Sequence, residues 1–134
     1  MIYAVLSVVL AYLLGSINFA VIFSKVFMKK DVREVGSGNA GTTNVLRTLG
    51  KKAAVITMVV DILKGVIGVK LGLLLAGPAA ASWCAVAAFC GHIWPALYNF
   101  RGGKGVATAF GVITAVNWQL GLAVLAVVAV FVIL

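Results

Sequence analysis

Acidic side chains are scarce in this 134-residue chain: three Asp and Glu stand against eleven Lys and Arg, for a net charge of +8. Charged residues of both signs make up only 10% of the sequence, where a soluble domain carries about 25%. That shortage excludes an ordinary soluble domain. Cysteine is limited to Cys84 and Cys90, which excludes a disulfide-stapled scaffold. His92 is the single histidine, so no Cys/His cluster offers zinc-ligand spacing, and no metal is expected. Neither cysteine lies in a basic loop that would activate its thiol.

What fills the sequence instead is apolar: 63% of the residues, with a mean hydropathy of +1.17. A disordered chain carries far less apolar surface. The composition predicts an all-α integral membrane protein, a polytopic transmembrane helix bundle in one domain over 1–134. At about 20 residues per span there is room for about four or five. Residues 1–24 hold no charged side chain, and a span over about 2–24 follows, since 24 residues of helix cover about 35 Å against a hydrocarbon core of about 30 Å. A cleaved signal peptide fits poorly, because no basic segment precedes the apolar run and a long one follows it. Further spans are predicted over 53–75 and 79–98, divided by the helix-breaking pair Gly77-Pro78. Residues 105–134 are uncharged and too long for one ordinary helix. Asn117-Trp118-Gln119 suits an interface and divides them into a short helix over 105–116, re-entrant or tucked among its neighbours, and a further helix over 119–134. One continuous tilted span is the alternative. The chain closes on Phe131 to Leu134 without a polar anchor, which predicts an N-terminal portion of a longer protein.

Lys and Arg set the orientation. Residues 25–52 hold seven of the eleven, and 99–104 hold two more. With alternating spans both loops share a side, which the positive-inside rule makes cytoplasmic, leaving the N-terminus outside. Three polar residues fall where they are costly. Asp61 and Lys64 lie inside the second span at i,i+3, on one face, as a catalytic pair or a structural ion pair. Gly68-x-x-x-Gly72 in the same span is a close-packing pattern. His92, in Gly91-His92-Ile93-Trp94-Pro95, is either a helix-end hydrogen-bonder or an acid–base group. It lies in a different span from Asp61, so no Ser-His-Asp arrangement is visible and a covalent intermediate is not favoured.

Two glycine-rich loops fall on the cytoplasmic side. The first runs from Gly36 to Arg47. It contains a formal G-x-G-x-x-G, but no strand precedes it, and Thr42 stands where a Walker A loop needs Lys. What remains is the shared physics: glycines let backbone N–H groups converge on an anion. Ser37, Asn39, Thr43 and Asn44 add neutral donors, and Arg47 adds a bidentate fork. A short helix before Gly50 would present Thr43 and Asn44 together with Arg47. The second loop, Phe100 to Thr108, places Gly102, Gly103, Lys104 and Gly105 at the start of the next helix. It is either a phosphate nest or a flexible turn with basic topology markers. Two such loops at the mouth of a bundle suggest two phosphate-bearing ligands or one ligand with two phosphates, and the apolar bundle below could admit an acyl chain from the membrane lipid.

Four segments together resemble a known family. Gly36-Ser-Gly-Asn-x-Gly-x-Thr-Asn-x-x-Arg47, Asp61-x-x-Lys-Gly65, Gly91-His-x-x-Pro95 and Phe100-Arg-Gly-Gly-Lys-Gly-Val-Ala-Thr108 resemble, in order along essentially the whole chain, the bacterial acyl-phosphate-dependent glycerol-3-phosphate acyltransferases (PlsY). The resemblance implies a multi-pass enzyme of the bacterial inner membrane with a cytoplasmic active site. It would transfer a fatty acyl group from acyl phosphate to the 1-hydroxyl of glycerol 3-phosphate, giving 1-acylglycerol 3-phosphate and phosphate, the first acylation of phospholipid synthesis. It implies functional roles for Ser37 and Arg47, and acyl-phosphate binding at Gly102, Gly103 and Gly105 with Lys104 as a phosphate contact. No cofactor and no nucleic-acid partner is implied. The family carries a third cytoplasmic motif with functional Asn and His, before which this chain ends. Arg101 stands where family members commonly have Lys.

On that resemblance Ser37, Asn39, Thr43, Asn44 and Arg47 are expected to hold glycerol 3-phosphate, and Lys104 with the amides of its loop to hold the leaving phosphate. His92, the third motif or a substrate phosphate would take the hydroxyl proton. A transporter or flippase for a phosphorylated lipid would share the basic loops without an acyl donor, and a non-catalytic fragment is the remaining alternative.

Overall fold

The structure, a computed structural model, describes residues 1–133. Among the described residues there are seven α-helices: α1 Ile2–Ser16, α2 Phe19–Met28, α3 Thr42–Leu49, α4 Lys51–Ala76, α5 Pro78–Ile93, α6 Val106–Val116 and α7 Trp118–Ile133. Short 3₁₀ turns at Val32–Glu34 and Ala96–Tyr98 join them, and no strand occurs among the described residues. The central helix is α4, which packs on α1, α5 and α6 and carries α3 at its N-terminal end. Two stretches, Ile2–Met28 and Pro78–Tyr98, are long and apolar enough to cross a membrane.

The interior is built of small residues. Ala11, Ala81, Cys84 and Ala88 are buried, while Leu6, Leu13, Ile56, Leu63, Leu74 and Trp83 point outward. This reverses the order of a water-soluble bundle. In lipid, large apolar side chains gain nothing by turning inward, and helices associate through close backbone approach. Gly68 shows how close: a methyl group there would lie 2.9 Å from Ala88 Cβ and 3.7 Å from Ala11 Cβ. Gly65 and Gly111 likewise bring α4 and α6 together, each with its missing side chain against the other helix's backbone at Thr108 and Ile62.

Charge-free composition does not reveal every break. The stretch expected as one helix over 2–24 is two helices, because Ile17 is extended and Asn18 starts a new helix by accepting a hydrogen bond from the Val21 N–H at 3.2 Å. The Ile17 carbonyl, freed by the break, accepts from Lys64 Nζ at 3.0 Å. The helix expected over 79–98 stops at Ile93, since Pro95 cannot continue it. Residues 105–133 are two helices rather than one. Asn117 is extended, and its side-chain oxygen caps α7 by accepting from the Gln119 and Leu120 N–H groups.

Replacing Gly68 by Leu should lower unfolding stability in detergent by about 1–3 kcal/mol, because the added atoms meet Ala88 and Ala11 with no room to relax. Ile67→Leu, on the half-exposed outer face, should leave the midpoint unchanged in the same titration.

Candidate active site

Both glycine loops lie at one end of the bundle and touch. The tie is Arg33. Its Nη1 donates to the carbonyls of Tyr98 at 2.8 Å and Arg101 at 3.0 Å, and its guanidinium sits 5.9 Å from the Tyr98 ring centroid. Asp31 fixes the other edge of that guanidinium, accepting from Nε at 2.9 Å and Nη2 at 2.7 Å, and also from the Arg33 backbone N–H at 3.0 Å. The fork–fork geometry holds the Asp31 carboxyl down to about 2 and raises the Arg33 guanidinium above its ordinary value. Lys25 Nζ adds a cation 3.6 Å from Asp31 Oδ2. Asp31, Arg33, Glu34, Asn99 and Arg101 line a polar cleft of about 90 Å³ between the loops.

In the first loop the donors divide into spent and free. Asn44 was expected beside Arg47 as a substrate donor. It is instead fully buried. Its Nδ2 donates to the carbonyls of Val32 at 2.8 Å and Val35 at 3.0 Å, and its Oδ1 accepts the Ser37 N–H at 2.9 Å. Both amide protons are used, so Asn44 shapes the loop rather than reaching into it. Gly36 is required here: its φ is +59°, and a side chain would run into Asn44 Oδ1. The Gly38 N–H is taken by the Val35 carbonyl. Beyond it the chain passes Asn39, half-buried, into α3, whose start has no side-chain cap. Ser37, Thr43 and Arg47 are exposed, the last two one turn apart on α3.

The second loop corrects a further expectation. The N–H groups of Gly102 and Gly103 do not point at an anion. They donate to the carbonyls of Ile93 at 3.0 Å and His92 at 3.2 Å. Their missing side chains face inward as well: one on Gly102 would strike the His92 carbonyl, and one on Gly103 the His92 ring at Nε2. These glycines are needed because α5 ends directly beneath them. The donors left are the backbone N–H groups of Lys104 and Gly105, the exposed Lys104 ammonium, and the first turn of α6, which no side chain caps. Gly105 starts that helix at φ +78°.

His92 is not a surface acid–base group either. It is 3% exposed. The tertiary fold brings it to the one place the sequence did not suggest: its Nδ1 lies 3.5 Å from Asp61 Oδ1, which also takes the Lys64 ammonium at 2.8 Å. Asp61 and Lys64 share a helix face at readable spacing, but the third member comes from another helix. The Arg33 clamp was equally hidden, since an i,i+2 pair in a loop has no helical signature. Among the described residues, no three His, Cys, Asp or Glu side chains converge as metal ligands would. An apolar groove of about 400 Å³ beside Val5, Ala76 and Trp83 lies at the other end of the bundle.

The depressed Asp31 carboxyl carries a pH signature. Its contribution to stability is complete well above the ordinary value of 3.8 and is lost as pH falls toward about 2. The melting-temperature gap between wild type and Asp31→Asn should therefore be largest at neutral pH and close across that acid window.

With this geometry the comparisons with known proteins agree. The sequence model of the glycerol-3-phosphate acyltransferase family matches residues 5–134. A glycerol-3-phosphate acyltransferase of Thermoanaerobacter sp. (strain X514) is 52% identical over 125 residues, covering 93% of this chain and 63% of the relative. One from Jannaschia sp. (strain CCS1) is 49% identical over 122 residues, covering 91% and 60%. The crystal structure of PlsY (YgiH), an integral membrane glycerol 3-phosphate acyltransferase, in its glycerol 3-phosphate form, superposes with a TM-score of 0.89 at 41% identity over 96% of this chain and 66% of that one. Its lysophosphatidic acid form gives 0.79 over 89% and 59%. The chain thus spans about three fifths of the length of the curated relatives it matches. Its small-residue interior and apolar exterior are those of a membrane helix bundle, and the chain belongs to the glycerol-3-phosphate acyltransferase family.

Proposed function

We propose that this chain carries the phosphate-holding face of an enzyme that acylates the 1-hydroxyl of glycerol 3-phosphate with acyl phosphate as donor. The observation that carries the reading is the abutment of two loops, each leading into an α-helix whose first turn has no side-chain cap. A helix start of this kind favours a phosphoryl group through its free N–H groups and its dipole. Two of them side by side suit two phosphates, which donor and acceptor would supply.

Glycerol 3-phosphate is assigned to the first loop, with Ser37, Asn39 and Thr43 as neutral donors and Arg47 as the cation; Asn44 supports them from behind. Acyl phosphate is assigned to the second loop. There Lys104 Nζ and the N–H groups of Lys104 and Gly105 hold the donor's phosphate, while Gly102 and Gly103 let the loop lie flat on α5. Acyl phosphate is already activated. Attack of the 1-hydroxyl on the acyl carbon breaks the acyl–oxygen bond and releases phosphate, so the protein needs mainly to align the groups and stabilise charge growing on the leaving phosphate. With His92 buried beneath Gly103 and its Nδ1 turned to Asp61, we assign the hydroxyl proton to a substrate phosphate or to a group outside this chain's described residues. The acyl chain would lie among the apolar helices. By the positive-inside rule the basic loops support a cytoplasmic position for this face with the N-terminus outside, and the family resemblance implies a bacterial inner membrane.

The test is to incubate membranes holding this chain with acyl phosphate and glycerol 3-phosphate and to measure 1-acylglycerol 3-phosphate and released phosphate. Both products should form together, and Lys104→Ala should lower them at least about 100-fold, the scale of removing one charge-stabilising donor. Near-wild-type turnover in that variant refutes the role of Lys104. Phosphate release without acylglycerol phosphate refutes the transfer.

A further inference from the structure

Three charged or titratable side chains are buried together beneath the second loop and have no part in the chemistry above. Asp61 and Lys64 come from α4 and are 2% and 3% exposed; His92, from the end of α5, is 3% exposed. Removing an ion pair and an imidazole from solvent in a helix bundle is costly. Packing alone would be met more cheaply by apolar residues of the same size. The connections of this cluster show what it holds. Lys64 reaches the free Ile17 carbonyl at the α1–α2 break, next to Asn18, whose Nδ2 donates to the Ala40 carbonyl of the first loop at 3.4 Å. His92 meets the second loop twice, by its carbonyl to the Gly103 N–H and by its ring, which fills the space a side chain on Gly103 would take. A side chain on Gly103 would meet both His92 Nε2 and, at 2.6 Å, the Ala40 carbonyl. The imidazole therefore sits where the two loops meet, with its other nitrogen toward Asp61.

We propose that Asp61 is a positioning residue: it holds a proton on His92 Nδ1, fixes the ring edge-on beneath Gly103, and so aims Lys104 and the start of α6 at the phosphate. Nδ1 and the Asp61 Oδ1 that faces it at 3.5 Å are both buried without a hydrogen-bond partner, and a small turn of the ring would let an Nδ1–H donate to that oxygen. A carboxylate at Nδ1 selects the form protonated there, which turns Nε2 toward the seam. Without the carboxylate the ring is free to rotate or to shift its proton, and Gly103 loses the surface it rests on. Asp61 touches no substrate and acts through His92. This inference rests on the assignment of the second loop to phosphate.

Because His92 is the single histidine in the sequence, selective ¹⁵N-histidine labelling reads one imidazole. In the wild-type chain Nδ1 should be protonated. A ring protonated on Nε2 alone overturns the proposal without any variant. The second arm is Asp61→Leu combined with Lys64→Met, which exchanges the buried pair for apolar residues and leaves no lone charge behind. That double variant gives up the Lys64 bond to the Ile17 carbonyl and should melt below wild type. In the folded protein it should lose the Nδ1 proton preference, shift the backbone amide resonances of Lys104 and Gly105, and bind acyl phosphate, the ligand assigned to the second loop, about tenfold or more weakly, the usual scale for losing a supporting partner. A folded double variant with wild-type amide resonances and affinity overturns the proposal. If the double variant does not fold, the wild-type imidazole spectrum decides alone. A wild-type chain that binds no acyl phosphate fails the functional reading of the second loop; the amide resonances of Lys104 and Gly105 then still decide the positioning claim.

Discussion

A single buried carboxylate organises the end of the bundle where the loops gather. Asp61 meets Lys64 at 2.8 Å and faces His92 at 3.5 Å. Each partner in turn holds something irregular. Lys64 satisfies the carbonyl at the break between α1 and α2, and His92 supports the turn that leads into α6. Within a membrane an open carbonyl has no water to turn to, so non-helical backbone persists only where protein groups satisfy it. The break in α1–α2, the early end of α5 and the late start of α6 all occur around this one cluster.

Outside it, the same task is done by a second charged pair in a wetter setting. Arg33 spans from Asp31 to the carbonyls of Tyr98 and Arg101. Its guanidinium suits this use, since one planar fork can serve a carboxylate on one edge and two carbonyls on another. The first loop is thereby bound to the second from the outside, while Asn18 and Ala40 bind it to the α1–α2 break from the inside. Asn44 completes the first loop internally, with three bonds to the backbone between Val32 and Ser37. The loops are glycine-rich, yet they are closely bonded.

The helical membrane character, the break at Asn117 and both glycine loops were legible from the sequence, because each leaves a local mark: an uncharged run, an interfacial Asn-Trp-Gln, glycines around a cation. The break at Ile17–Asn18 leaves none, since its cause is a capping amide and a lysine forty-seven positions away. Asp61 and Lys64 showed as a pair by their spacing, whereas His92 joins them only once α4 and α5 pack. Asn44 misled for a different reason. Its neighbours Thr43 and Arg47 are exposed, and helical spacing gives no sign of which polar residue on a short helix turns inward.

Glycine itself carried an ambiguity that only packing resolves. Around Lys104, the sequence suggests glycines that clear space for a ligand. Gly102 and Gly103 clear space for α5: their N–H groups are consumed by Ile93 and His92, and a side chain on either would run into the His92 carbonyl or ring. A helix end laid this close allows Lys104 to follow immediately and the first turn of α6 to begin two residues later, with its N–H groups uncapped. Substituting either glycine would not fill a ligand pocket. It would lift the loop from α5 and move the free donors with it. The anion-holding capacity of this segment therefore comes from the residues after the glycines, and the glycines set where those residues stand.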